Sequence, residues 1–256
     1  MLKDFREEIF DIIVQAGQSN AEGYGCGPVD TPYQPKDSVW YLDGDFTITK
    51  AAERVMKNET HGNFSLSFAD RYLQDGRLTE GRKLLILRSA VGGTGFYDRR
   101  WGMEDDLYLR MMEMIRTALS LNPKNRVVAF LWHQGETEAN GDVSYDVHFN
   151  NLSGLISSVR REFDLPNVPF IAGDFVPLWR NKHEKRCAPI LEAIKDVCNG
   201  DGYGFFVETE GLLANIEELN RPTLDWNDDI HFSRRSLYEL GNRYYDAFLK
   251  VTKNTK

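Results

Sequence analysis

Residues 12–23 read IIVQAGQSNAEG. A β-branched run, Ile12 to Val14, breaks into small and polar residues, with Gly17 before and Gly23 after the pair Ser19-Asn20. Such a run fits a strand covered on both faces, and the glycines fit a tight exit from it. Two readings of the exit stand open. Ser19 or Asn20 caps a following helix, or Ser19 is a nucleophile held at the carboxyl edge of a sheet.

Outward from this strand (FDIIVQ, residues 10–15) the pattern repeats. Apolar runs start at Lys83 (KLLILRSA), Arg126 (RVVAFLWHQ), Val168 (VPFIAGD) and Gly204 (GFFVE). Between them lie helical stretches from Phe64, Asp105, Asp146 and His183, and a last one from about Ser233. In the second, Leu107, Met111, Met114, Ile115, Ala118 and Leu119 recur at three- and four-residue steps, one apolar stripe for packing on a sheet. Strand and helix in alternation predict a three-layer α/β fold with right-handed crossovers, a central parallel sheet of about five strands, and a single domain over residues 1–256. Residues 24–57 are irregular and hold a possible hairpin, VWYLDGDFTI, turning at Asp43-Gly44. In this architecture ligands meet the loops beyond the carboxyl ends of the strands.

The chain has 256 residues with 41% hydrophobic content, enough for a sizeable core. Its formal charge of −8 argues against nonspecific nucleic-acid or anionic-lipid partners. No membrane-spanning run occurs, and the start MLKDFREEIFD has no apolar signal core, so a cytoplasmic location is expected. The three cysteines are far apart and the five histidines do not cluster in sequence. Neither a disulfide framework nor a metal or other cofactor is expected.

Four polar clusters follow strands or precede the last helix. GQSN (17–20) carries Ser19, a poor nucleophile unless a histidine takes its proton. SAVGGTGFYDRRW (89–101) offers Gly92 and Gly93, whose backbone N–H groups can approach a ligand closely, and Trp101 as a wall or a packing residue. WHQGETEAN (132–140) places His133, Gln134 and Glu136 together. Gln134 has an amide able to meet an oxyanion, and Glu136 could orient a histidine or a hydroxyl. DWNDDIHFS (225–233) spaces Asp228 and His231 so that one turn can bring the carboxylate onto an imidazole nitrogen, and Ser233 reads as an N-cap. Arg99 and Arg100 could meet an acidic ligand, but pairing with surface acids is favoured.

These clusters resemble the SGNH hydrolases, and more closely their sialate O-acetylesterase-like and acetylxylan esterase-like carbohydrate esterase branch, through GQSNAEG (17–23), AVGGT (90–94) with Trp101, WHQGE (132–136) and DDIH (228–231). The resemblance implies a flavodoxin-like sheet and a serine esterase. Ser19 would be the nucleophile, His231 the general base and acid, and Asp228 its orienting carboxylate. The oxyanion would meet the N–H groups of Ser19 and of Gly92 or Gly93, and the side chain of Gln134. Asn20, Trp101, His133 and Glu136 would support the site or touch substrate. The expected reaction is removal of acetyl groups from O-acetylated sugars by way of an acetyl-enzyme that water hydrolyses. An acetylxylan-type substrate is favoured, with sialate O-acetylesterase or another small-ester hydrolase as the alternative. A decayed glycan-binding protein and a two-carboxylate glycoside hydrolase rank below these, and the oligomeric state is left open.

Overall fold

A computed structural model describes residues 4–56, 58–218 and 227–253. Asp225 and Trp226 of the fourth cluster lie outside these residues. In chain order the elements are β1 (Ile9–Gly17), α1 (Ser19–Glu22), β2 (Val39–Leu42), β3 (Ile48–Lys50), β4 (Arg54–Met56), β5 (Glu59–His61), α2 (Phe64–Gln74), β6 (Arg82–Arg88) and α3 (Asp106–Leu121). They continue with β7 (Arg126–His133), α4 (Glu136–Asn140), α5 (Tyr145–Phe163), β8 (Phe170–Gly173), α6 (Pro177–Lys182), α7 (Glu184–Gly200), β9 (Gly204–Val207) and α8 (Arg234–Lys253).

The main sheet runs β3-β2-β6-β1-β7-β8-β9. The five strands read from the sequence lie side by side in its parallel part, with β1 between β6 and β7: Ile12 pairs with Leu85 on one side and Val127 on the other. The expectation of about five strands is corrected to seven in a mixed sheet. The hairpin at 39–50 does not stand apart. Its first strand pairs parallel to β6, Val39 to Leu84, and its second closes the edge antiparallel, Leu42 to Ile48. Pairing partners of this kind are set by tertiary contact, which a local pattern cannot reveal. The hairpin β4–β5 is separate and two-stranded.

Alternation along β1 divides the helices. Asp11 points to α2, where the Tyr72 hydroxyl donates to it at 2.9 Å. Val14 points the other way, lining a crevice with Ile156 and Val159 of α5. Helix α8 packs beside α2, and α7 beside α5, so the sheet is covered on both faces. The α3 stripe is buried as expected, with Met111, Met114, Ile115 and Ala118 at zero exposure. Two layers of helix leave only the sheet's ends open to carry chemistry.

Candidate active site

At the carboxyl end of β1 the chain is held between its neighbours. The Gly17 carbonyl accepts from Val91 N–H at 3.1 Å, and Gln18 N–H donates to the His133 carbonyl at 3.0 Å. Gly17 takes φ +130°, and a Cβ there would lie 2.1 Å from the His133 oxygen. Only glycine permits so close an approach. Gln18, not Ser19 or Asn20, is the extended N-cap residue of α1, and it makes no side-chain cap bond. The capping explanation for Ser19 therefore falls away. Ser19 is the first helical residue, 5% exposed, and its N–H meets no acceptor among the described residues.

The turn before α8 supplies the imidazole. His231 Nδ1 lies 2.8 Å from Asp228 Oδ1, and the His231 backbone N–H donates to the same oxygen at 3.2 Å. Asn215 Nδ2 donates to the other carboxylate oxygen at 2.7 Å. Burial opposes ionisation of Asp228, but the hydrogen bonds from His231 and Asn215 outweigh it and hold the carboxyl below its usual range. The Tyr24 ring stacks on the imidazole with centroids 5.3 Å apart. Ser233 caps α8 as expected, its Oγ accepting from Ser236 N–H at 3.2 Å.

Asn20 joins these two segments. Its Nδ2 donates to the Ile230 carbonyl at 3.0 Å and its Oδ1 accepts from Phe232 N–H at 3.1 Å, so it binds the main chain on both sides of His231. The same Nδ2 donates to Glu136 Oε1 at 2.9 Å. Asn20 and Glu136 are both buried. Burial pushes the Glu136 carboxyl up to about 7, with the Asn20 hydrogen bond pulling in the opposite direction. Thr137 Oγ1 donates to Gln18 Oε1 at 3.1 Å, a further tie between the first and third clusters.

Around the glycine loop the hydrogen bonds set the expected donors apart. Gly92 N–H donates to Glu22 Oε2 at 2.8 Å, so this donor is taken, whereas Gly93, at φ +69°, has open space where a Cβ would stand and an N–H without an acceptor among the described residues. The Gln134 amide does not stand ready for an oxyanion, because its Nε2 donates to the Thr94 carbonyl at 3.3 Å and to the Glu138 carboxylate. Glu138 in turn accepts from the Tyr97 N–H at 3.2 Å, so Gln134 and Glu138 brace the loop from beneath. Trp101 is no rim wall. It is fully buried, edge-on to Trp132 at 5.2 Å, with Nε1 donating to Thr94 Oγ1 at 3.0 Å. His133 is likewise buried against Tyr244, its Nδ1 3.0 Å from the phenol, and burial drives its pKa down to about 3. Neither side chain is exposed to solvent.

Arg100 pairs with Asp106 through two bonds of 2.7 and 2.9 Å, the surface pairing favoured from sequence. Sequence reasoning missed Tyr24, Asn215 and Glu22. Glu22 sits inside the GQSNAEG motif and could have been suspected; nothing local marks Asn215.

Residues 9–250 match the family model described as carbohydrate esterase, sialic acid-specific acetylesterase. The chain is 30% identical over 178 residues to the probable carbohydrate esterase At4g34215 of Arabidopsis thaliana, covering 62% of this chain and 66% of that protein. It is 28% identical over 91 residues to the probable 9-O-acetyl-N-acetylneuraminic acid deacetylase of Escherichia coli strain K12, covering 32% of this chain and 27% of that one. These matches thus span less than two thirds of each curated relative. The crystal structure of NanS superposes with a TM-score of 0.80 at 19% identity, over 97% of this chain and 99% of that one, a likeness of fold. By the span of the model match, the chain belongs to the sialic acid-specific acetylesterase family of carbohydrate esterases.

Proposed function

We propose that this chain is a serine esterase that removes acetyl groups from O-acetylated sugars, with O-acetylated sialic acids preferred. The observation that carries the reading is the Asp228–His231 bond of 2.8 Å, tied to the Ser19 turn through Asn20. The sialate reading, carried from sequence as the alternative, now stands ahead of the acetylxylan one. The family description and the E. coli relative both name sialic acid chemistry.

In this mechanism Asp228 accepts from Nδ1–H, which fixes the tautomer in which Nε2 can take the Ser19 proton. Ser19 Oγ attacks the acetyl carbonyl, and the oxyanion is met by the N–H groups of Ser19 and Gly93. Protonated His231 gives its proton to the departing sugar oxygen, and water then cleaves the acetyl-enzyme by the reverse use of the same groups. Gln134 acts through the loop it braces, as a positioning residue. Gly92 N–H, bound to Glu22, holds α1 against the loop.

Acetate release from 9-O-acetyl-N-acetylneuraminic acid and from acetylated xylo-oligosaccharides tests the substrate class. A kcat/KM at least tenfold higher on the sialate is expected. Equal or higher values on the xylan fragments overturn the preference, and no acetate from either overturns the esterase reading.

A further inference from the structure

Beside the Ser19 turn lies a cavity of about 160 Å³, lined among others by Gln15, Ala21, Glu22, Arg88, Val91 and Arg110. By volume it has room for about five waters, which suits one end of a ligand and not an oligosaccharide. Ala21 and Glu22 belong to α1, which Ser19 opens, and Val91 precedes the glycine pair. The cavity and the nucleophile's turn share a wall.

The charges around this cavity do not balance. Glu22 Oε1 accepts from both Nη atoms of Arg54, at 2.6 and 2.7 Å, and its other oxygen holds Gly92 N–H. Asp43 Oδ1 accepts from Arg88 Nη1 at 2.9 Å. Arg110 is the third guanidinium and forms no ion pair among the described residues, though Asp106 and Glu22 attract it. Among the described residues it donates only to the Ser89 carbonyl, from Nη2 at 3.2 Å, and its buried Nε has no partner. Asp106, one turn earlier on α3, is taken by Arg100. Among the described residues, Glu22, Asp43 and Asp106 thus face Arg54, Arg88, Arg100 and Arg110, leaving one positive charge in surplus. A partly buried cation with an unmet N–H is costly unless something supplies the counter-charge.

A second group lacks its complement. Gln15 is 1% exposed, and its Oε1 has no hydrogen-bond donor among the described residues. Its Nε2 is already engaged with Asn63 Oδ1 at 2.7 Å, so what is missing is a donor for the carbonyl. One cavity therefore presents an unmatched cation and an unmatched acceptor. A carboxylate answers the first, with the fork geometry that arginine favours, and a neighbouring hydroxyl answers the second. Both occur together in a sugar acid.

Resting on the acetyl-sugar reading above, we infer that this cavity is the subsite that anchors a sugar acid, with Arg110 receiving its carboxylate and Gln15 accepting from an adjacent hydroxyl. The acetyl group at the far end of the same sugar is then presented to Ser19. Glu22 does not repel the incoming anion at full strength, because Arg54 and Gly92 N–H already neutralise it. The subsite makes the free carboxylate, and not the acetyl group alone, the feature by which substrate is selected.

The test is a ratio measured within each protein: kcat/KM on 9-O-acetyl-N-acetylneuraminic acid divided by that on its carboxyl methyl ester. Wild type is expected to favour the free acid at least tenfold, Arg110→Gln to bring the ratio near one, and Arg110→Lys, which keeps charge but loses the fork, to fall between. A wild-type ratio near one, or a ratio unmoved in both variants, overturns the subsite. A second arm needs neither a variant nor an acetylated sialate: inhibition of p-nitrophenyl acetate hydrolysis by N-acetylneuraminic acid, its methyl ester or sodium acetate. Inhibition by the acid alone supports the subsite even if the acetylated sialate is not turned over, an outcome that sinks the proposed activity separately. Equal inhibition by acetate makes the cavity a general anion site and overturns the sugar-acid assignment, as does no inhibition by the acid.

Discussion

The side chain of Asn20 grips the main chain on both sides of His231, donating to Ile230 at 3.0 Å and accepting from Phe232 at 3.1 Å. The residue next to Ser19 thus sets where the imidazole stands, across 211 positions of sequence. Asn20→Ala removes both bonds together with the one to Glu136, and leaves the buried Phe232 N–H and the part-buried Ile230 carbonyl without these partners, a loss of about 1–3 kcal/mol each at most. The expected result is a folded protein with kcat lowered roughly 10²-fold and KM little changed, as fits a misplaced base. Unchanged kcat would show that His231 is held without Asn20.

Glu136 gives this clamp a pH signature. Its carboxyl is raised by burial to about 7 from an ordinary 4.5, so the folded state holds a proton that the unfolded state has released. Stability is greatest below the ordinary value and falls as pH rises through about 7, by on the order of 3 kcal/mol in all. Glu136→Gln keeps an oxygen for Asn20 and removes the buried charge. Urea unfolding at pH 5, 6, 7 and 8 should show this decline in wild type and a flatter profile in the variant, with the variant the more stable at pH 8. Parallel profiles would mean that Glu136 is ionised over this whole range in the folded protein, as it is in the unfolded chain.

Asp228→Asn tests the tautomer. An amide cannot hold Nδ1–H as the carboxylate does, and hydrolysis should fall by about 10⁴-fold with the fold kept. Because hydrogen bonds lower the Asp228 pKa, its contribution to stability is present above the ordinary carboxylate range and is lost as pH falls through its depressed value. The wild-type minus Asp228→Asn stability difference should therefore shrink on acidification below about pH 4. A difference that grows there would contradict the assignment.

Gly17→Ala probes the turn that carries Ser19. The new methyl would meet the His133 carbonyl at 2.1 Å, in a backbone conformation that L-residues rarely adopt. Destabilisation of more than about 3 kcal/mol is expected from thermal or urea melts. A variant within 1 kcal/mol of wild type would show that β1 and β7 can part at this point.

The sequence made the parallel strands legible because each is a buried apolar run bounded by turns, and Ile12 to Val14 and Leu84 to Leu87 are indeed almost wholly buried. The hairpin at 39–50 was visible as a hairpin, but its place in the main sheet rests on pairing with β6, which lies some forty residues away. The Asp228–His231 contact was legible since one turn spans it. Asn215 and Tyr24 were not, because each meets its partner through tertiary packing with no local spacing to announce it. Gln134 misled because a polar side chain at a strand end suggests a ligand, yet its amide is spent on holding the loop, as buried polar groups must be paired; for Trp101 and for Gly92 against Gly93 the sequence left both uses open.

The central claim is that the Ser19 hydroxyl attacks the ester, and rates of acetate release by wild type and Ser19→Ala on 9-O-acetyl-N-acetylneuraminic acid test it most directly, with circular dichroism confirming equal folding. Loss of at least about 10⁴-fold in kcat is the expected result; a Ser19→Ala protein within tenfold of wild type would contradict it.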